Sequence, residues 1–133
     1  MLKLSKNEAK SVAAQLSYKR NGLVPVVAQD KESKDILMVA FANQEAIEKS
    51  LLTGRMHYWS TERNKLWLKG ETSGNYQALH GFKIDCDEDT VLVTVTQKGG
   101  ACHKGYWSCF FREIRNGKVT EAKVKKWKTS DAE

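Results

Sequence analysis

Cys86, Cys102 and Cys109 are the three cysteines of this 133-residue chain, separated by fifteen and six residues. Three thiols cannot all pair within one chain, and a reducing compartment would not hold such pairs, so they are free, metal-bound or catalytic. The spacing matches none of the Cys-x-x-Cys knuckles of structural zinc ribbons. The settings are polar and turn-like. Cys86 lies inside Asp85-Cys86-Asp87-Glu88-Asp89, Cys102 precedes His103, and Cys109 follows Gly105-Tyr106-Trp107-Ser108. Core cysteines sit in apolar runs, and two of these three do not. Independent structural thiols, a redox role and one shared metal are the three readings. On the last, three thiolates leave a fourth coordination position open, which is the pattern of catalytic rather than structural zinc. Such a site lowers the pKa of a bound water toward neutrality. His103 is then either the proton shuttle beside it or a surface-loop imidazole.

Asp85, Asp87 and Asp89 alternate with Cys86, so in an extended backbone they would share one face while Cys86 points to the other. Three carboxylates on one face call for a hard cation or a basic group among them, and Mg²⁺ carrying phosphates fits. The plainer reading is a solvated acidic hairpin turn. An EF-hand is excluded, because its loop needs Gly and Glu where this chain has Thr90 and Thr96. Lys69-Gly70-Glu71-Thr72-Ser73-Gly74 is a glycine-punctuated loop with a cation and two hydroxyls, able to cradle phosphate through backbone N–H groups but not a P-loop. His57-Tyr58-Trp59-Ser60 reads as strand, its aromatics serving either the core or a purine stack.

The elements that must position these groups constrain how an ion could be held. If 90–97 is one straight strand, it carries the chain about 25 Å away from the Cys86 turn at about 3.3 Å per residue. The five residues from there to Cys102 return at most about 17 Å. Closing all three thiols on one ion within a chain requires a sharp bend; Cys86 arriving from a second chain does not. An intersubunit zinc in a homodimer follows as the expectation.

The periodicity around the sites is mainly that of strands. Ser5 with Glu8 reads as a capping box opening a helix near 6–20 that Asn21-Gly22 closes. Residues 23–28 and 36–41 flank the polar segment 29–35 as a hairpin, with Pro25 marking the first as an edge strand or bulge. Asn43 and Gly54 bracket a second helix at 44–53. Strands are predicted at 56–60, 65–69, 76–85 and 91–97. Another pair, 110–114 and 119–124, is joined by Asn116-Gly117, a type I′ turn signal. The fold class is α+β, mainly antiparallel sheet with one or two short helices.

Composition narrows the class further. The 41% hydrophobic and 29% charged residues exclude wholesale disorder and a collagen-like repeat, and the length predicts one domain spanning 1–133. Apolar runs fall far short of the roughly 20 residues that cross a bilayer, and the start lacks a signal peptide's apolar stretch, so a cytoplasmic chain without membrane contact is expected. The net charge of +6 belongs to the ends: residues 1–22 carry an excess of +4, 112–133 of +3, and 23–111 of −1. Trp127 among Lys123, Lys125, Lys126 and Lys128 is either a nucleic-acid stripe or a solvated amphipathic tail. A small zinc-bearing nucleic-acid module would leave the acidic triplet unexplained, since its carboxylates repel phosphates.

Four segments together carry a resemblance: Gly-Arg-Met-His-Tyr-Trp-Ser (54–60), Leu-Trp-Leu-Lys-Gly-Glu-Thr-Ser-Gly (66–74), Asp-Cys-Asp-Glu-Asp (85–89) and Ala-Cys-His-Lys-Gly-Tyr-Trp-Ser-Cys-Phe (101–110). In this order, within a core of residues 22–114, they closely resemble the phosphoribosyl-AMP cyclohydrolases of histidine biosynthesis. The resemblance implies an intertwined homodimer with zinc on Cys86 of one subunit and Cys102 and Cys109 of the other, and Mg²⁺ at Asp85, Asp87 and Asp89. It implies phosphoribosyl-AMP as a small-molecule substrate, opened at the N1–C6 bond of its adenine by zinc-activated water, and no nucleic-acid partner. His103 would move the proton. Lys69, Thr72 and Ser73 would orient phosphates with the Mg²⁺, and Trp59 with Ser60 beside it would meet substrate. Lys104, where the family commonly has Thr, and Tyr106-Trp107, where it often has a basic pair, depart from the pattern. With about 20 residues in the basic extension 115–133, too few for a second domain, a monofunctional chain is expected.

Overall fold

Ser5 opens the first helix, α1 (Lys6–Ala14), as the sequence predicts. Its Oγ accepts from the Glu8 N–H at 3.2 Å while the Glu8 carboxylate accepts from the Ser5 N–H at 2.9 Å, satisfying two amides that the helix itself cannot. This computed structural model describes residues 1–127; the end of the basic extension, with Lys128, lies outside the described residues. Helix α1 stops at Ala14, short of the predicted 20. Leu16 N–H reaches back only to Ala13 O, and Ser17 N–H donates to Glu88 O at 2.7 Å, so the chain gives up helix to dock on the acidic turn. Asn21 and Gly22, at φ 56° and 80°, do not cap a helix; they form a tight turn bridging Arg20 and Leu23.

The remaining elements are β1 (Val24–Asp30), β2 (Ile36–Ala42), α2 (Gln44–Thr53), β3 (His57–Ser60), β4 (Lys65–Leu68), β5 (Gln77–Ile84), β6 (Val91–Gln97), β7 (Arg112–Arg115) and β8 (Lys118–Glu121). Helix α2 has the predicted bounds, with Asn43 Oδ1 accepting from Ala46 N–H and Gly54 at φ 75° as the left-handed end. Six strands form one sheet in the order β4-β3-β2-β1-β6-β5, and β7 pairs with β8 across Asn116-Gly117, both at positive φ. Only the β1–β6 pair is parallel among the described strands, so the α+β, mainly antiparallel expectation holds. Of the two readings of Pro25, the edge does not hold, because β1 is central, and the irregularity that β1 carries falls at Ala28 and Gln29 and not at the proline. The ladder to β6 begins at Val26, so the proline stands before it, near the strand's start, where a missing N–H is tolerated.

One face of the sheet carries the core. Val24, Val26 and Ala28 of β1 and Val91, Val93 and Val95 of β6 are buried with Ala9 and Ala13 of α1 and Ile47 and Leu51 of α2, the period-2 burial of a sheet covered on one side. The other face is also apolar. Register puts Val27 against Val39 and Leu92, Pro25 against Phe41, Phe41 against Trp59, and Trp59 against Leu66, with Val39 49% and Phe41 38% exposed.

At the site end of the sheet a polar chain crosses the core. Tyr58 Oη donates to Gln77 Oε1 at 2.6 Å, and Gln77 Nε2 donates to Gln97 Oε1 at 2.9 Å. Gln97 Nε2 then donates to Lys98 O at 2.8 Å, tying the network to the segment that leads toward Cys102. Burial holds the Tyr58 phenol pKa well above its ordinary value. Tyr58→Phe leaves the fully buried Gln77 oxygen without this donor, and we expect a loss of about 1–3 kcal/mol. The check is urea unfolding; an unchanged midpoint would remove the network from the stability of this end.

Candidate active site

Strand β4 and the loop after β6 meet at a cavity of about 310 Å³. Lys65, Trp67 and Lys69, spaced by two along and just past β4, line one wall. Ser60 at the end of β3 and Glu62 and Arg63 from the following turn form the rim, while Met38, Ala101, His103 and Cys109 close the opposite side.

The 100–109 segment is folded back on itself. Ala101 N–H donates to Trp107 O and Cys102 N–H to Tyr106 O, each at 3.0 Å, and Gly105 N–H closes the tip on Cys102 O at 2.9 Å. Gly105 sits at φ 91°, which glycine alone adopts freely. A Cβ on Gly100 would lie 2.6 Å from Tyr106 O, so the crossing also needs glycine there. His103 and Lys104 are thereby carried at the tip, exposed. Cys109 N–H donates to Leu37 O and Ser108 Oγ to Ile36 O, both at 2.7 Å, fixing the far end on β2.

The result is a pair of adjoining thiols. Cys102 is buried, and Lys104 N–H donates to its Sγ at 3.4 Å. Cys109 is exposed as a residue, yet its thiol is pushed up to about 12, first by desolvation on its packed side, then by the charge of Cys102 and the hydrogen bond between them. Lys69 acts the other way. That side chain is only 3% exposed, and its Nζ donates to Ala101 O at 2.8 Å. Two soft donors lie side by side, and a divalent cation between them would favour the thiolate form that burial opposes at Cys109. The donors therefore fit zinc.

Cys86 is exposed in the turn after β5, at the opposite end of β6 from Gln97. Among the described residues no cluster of three metal-ligating groups joins it to Cys102 and Cys109. The cluster that does form is Asp85, Asp87 and Asp89, with ligand oxygens within 4.8 Å of one another. It arises differently from the predicted alternation along a strand. Residues 86–89 are a turn, with Glu88 at φ 64° and its N–H on Asp85 O, and Asp85 Oδ1 accepts from the N–H groups of Asp89 and Thr90 at 3.0 and 3.1 Å. Lys19 Nζ stands 2.9 Å from Asp89 and 3.9 Å from Asp87. Its hydrogen bond, more than any other cause, holds the Asp89 carboxyl far below the usual range, whereas sharing a hydrogen bond with Asp89 raises Asp87. Oxygen donors this close suit Mg²⁺, with Lys19, and Arg20 at 3.9 Å from Asp89, as the cations already present.

Of the residues expected to meet substrate, Ser60 and Lys69 line the cavity. Trp59 lies on the outer sheet face against Phe41 and Leu66. Thr72 is exposed and Ser73 accepts from the Asn75 N–H within its own turn; neither lines the cavity. Trp67, Arg63 and Lys65 do, and sequence reading passed over them. The predicted strand 65–69 already put Lys65, Trp67 and Lys69 on one face by its period of two, which was the available signal.

Comparison with known proteins bears on what this cavity acts upon. Residues 38–111 match the family model described as phosphoribosyl-AMP cyclohydrolase. The chain is 50% identical over 106 residues to a phosphoribosyl-AMP cyclohydrolase of Methanococcoides burtonii, covering 80% of this chain and 88% of that one. A protein of the same name from Archaeoglobus fulgidus is 50% identical over 105 residues, 79% of this chain and 97% of the relative. A histidine biosynthesis bifunctional protein from Thermoanaerobacter pseudethanolicus is 45% identical over 115 residues, of which this chain spans 53% of the length.

Proposed function

Because the chain belongs to the phosphoribosyl-AMP cyclohydrolase family, hydrolases of histidine biosynthesis, we propose that its cavity opens the adenine ring of phosphoribosyl-AMP with a metal-activated water. The observation that carries the metal is that Cys109, His103 and Lys69 line one cavity, with the Cys102 thiol against that of Cys109. Zinc on these thiols would supply a water ionised near neutral pH and a positive charge beside the reacting carbon.

The chain's own residues do the rest. Cys102 and Cys109 supply two ligands and Cys86 of the partner subunit the third. Its exposure at the far end of β6 from the other two thiols, together with the apolar outer face from β4 to β6, supports a homodimer built on that face. His103, at the exposed tip of its turn, takes a proton from the attacking water as oxygen adds to C6. The N1–C6 bond then breaks as the C6 hydroxyl becomes the carbonyl, one proton of the water going to N1 and the other to the exocyclic nitrogen, giving an aminoimidazole carboxamide. Lys69 fixes the Ala101 carbonyl, and with it the backbone entering Cys102, while its ammonium offsets thiolate charge in the buried setting. Trp67 offers an apolar wall to the base, and Lys65, on the same wall, and Arg63, at the rim, attract the phosphates.

Bringing the partner's Cys86 to this cavity also brings its acidic turn, so Mg²⁺ on Asp85, Asp87 and Asp89 would meet a substrate phosphate there. Ring opening of phosphoribosyl-AMP followed by absorbance, with and without a zinc chelator, tests the proposal. Turnover that stops with chelator and returns with zinc is expected; full turnover by the metal-stripped enzyme would refute it.

A further inference from the structure

The outer edge of the turn carrying Cys102 and Cys109 is covered by a segment that lies beyond the family match at 38–111. After the β7–β8 hairpin the chain returns along residues 105–107. Trp107 N–H donates to Lys125 O at 2.7 Å, Trp127 N–H donates to Gly105 O, and Tyr106 and Lys126 form an antiparallel bridge. Residues 105–107 thus sit between two neighbours, 101–102 inside and 125–127 outside, as the middle of a miniature three-stranded arrangement.

Side chains reinforce the same contact. The Trp107 and Trp127 rings lie 5.9 Å apart, and Tyr106 stacks on Phe111 at 3.9 Å. Tyr106 Oη donates to the Glu121 carboxylate, and the Lys126 ammonium lies 4.9 Å from the Tyr106 ring centre. Trp107 Nε1 in turn donates to Asp35 Oδ2 at 3.0 Å, linking the assembly to the β1–β2 hairpin.

The hairpin that delivers this segment adds little to the core, since Ile114 is 79% and Val119 68% exposed. Its order is spent on the turn. Without residues 125–127 the turn's inner side would still be pinned by Lys69, Ser108 and Cys109 to the body of the protein. Its outer backbone, Trp107 N–H and Gly105 C=O, would be left as an open edge.

We propose that residues 115–127 form a strap that positions the Cys102–Cys109 turn, with Trp127 as the positioning side chain. It holds the two thiols and His103 at fixed separation instead of letting the tip breathe. The proposal rests on reading that turn as the metal-binding element of the active site. Groups bonded directly to metal ligands alter affinity and activity about 10- to 100-fold when removed, and the strap acts on the same ligands one step further out, through the backbone of 105–107.

The test uses the purified full-length chain, Trp127→Ala, Trp127→Phe and a chain ending at Gly117. Three quantities are compared: zinc transfer to a chromogenic chelator, hydrogen exchange of peptides covering 101–109 before and after metal removal, and thermal unfolding. We expect Trp127→Ala and the shortened chain to release zinc about tenfold faster or more and to exchange faster at 101–109. The β1–β6 peptides should stay protected, and Trp127→Phe should recover most of the effect. The kcat should fall while KM for phosphoribosyl-AMP stays within about twofold. Unchanged release and exchange in both variants overturn the strap, as does a loss of zinc that merely parallels unfolding of the whole sheet. A full-length chain that binds no zinc but still shows faster 101–109 exchange in the variants defeats the metal reading while supporting the strap.

Discussion

Cys102→Ala is expected to lose zinc and turnover together while keeping the fold. The side chain is 7% exposed, and replacing a thiol by hydrogen costs about 1 kcal/mol in such a setting. The bonds that shape the turn, Cys102 N–H to Tyr106 O and Gly105 N–H to Cys102 O, are backbone bonds that alanine retains. With one of two local ligands gone the remaining thiol cannot hold the ion in competition with water. Turnover should therefore fall by at least about a thousandfold, the scale of losing a water ionised near neutrality. Metal analysis and circular dichroism of the same sample make the check. Retained turnover in a zinc-free variant would exclude metal-activated water.

The same variant tests the partner's contribution. Cys86→Ala should be equally inactive, yet mixing the two after subunit exchange should restore activity. If the proposed shared site is right, the mixed dimer would hold one intact site, combining Cys86 of the Cys102→Ala subunit with Cys102 and Cys109 of the other. Random exchange makes about half the dimers mixed, so recovery should approach about one quarter of wild type. No recovery, or full zinc stoichiometry in a monomer, would sink the shared site.

His103→Ala should leave zinc bound and slow the chemical step by about 10²- to 10⁴-fold, the range of a lost general acid–base group. His103 is exposed at the tip of its turn, so the substitution should change stability by no more than about 0.5 kcal/mol. The other two imidazoles are occupied elsewhere: His57 Nδ1 is 2.9 Å from Arg55 O and His80 Nε2 is 2.8 Å from Thr96 Oγ1. Neither lines the cavity. Burial, the largest cause in each case, also lowers the pKa of both. The diagnostic readout is the single-turnover rate. Partial recovery with added imidazole would support proton transfer, and a single-turnover rate equal to wild type would remove His103 from it.

Much of the secondary structure was legible because its causes are local. The Ser5–Glu8 box, the Asn43 and Gly54 ends of α2 and the Asn116-Gly117 turn depend on residues within one turn of chain, and all are present. The same local reading misplaced the end of α1 and the position of β1. Ser17 is drawn to Glu88, and the neighbours of β1 are chosen by the order of the sheet, causes that lie far along the chain.

The active-site region divides in the same way. Sequence alone supplied the candidate groups: three cysteines in an unpaired count, an acidic triplet, and a histidine beside a cysteine. Chain length along β6 already argued against closing the thiols within one subunit, because extended backbone has a fixed reach. Only the tertiary structure decided which groups share the cavity. Lys69 reaches Ala101 across 32 positions and Ser108 reaches Ile36 across 72, so strand order and loop packing, not spacing, set their neighbours. That is why Trp67, Arg63 and Lys65 line the cavity whereas Trp59 faces the outside of the sheet. It is also why the basic extension, read from sequence as a tail, becomes through Trp127 and Trp107 a packed neighbour of the Cys102–Cys109 turn. Non-local hydrogen bonds and side-chain packing form only when the whole sheet is assembled, and a linear pattern of residue types carries no record of them.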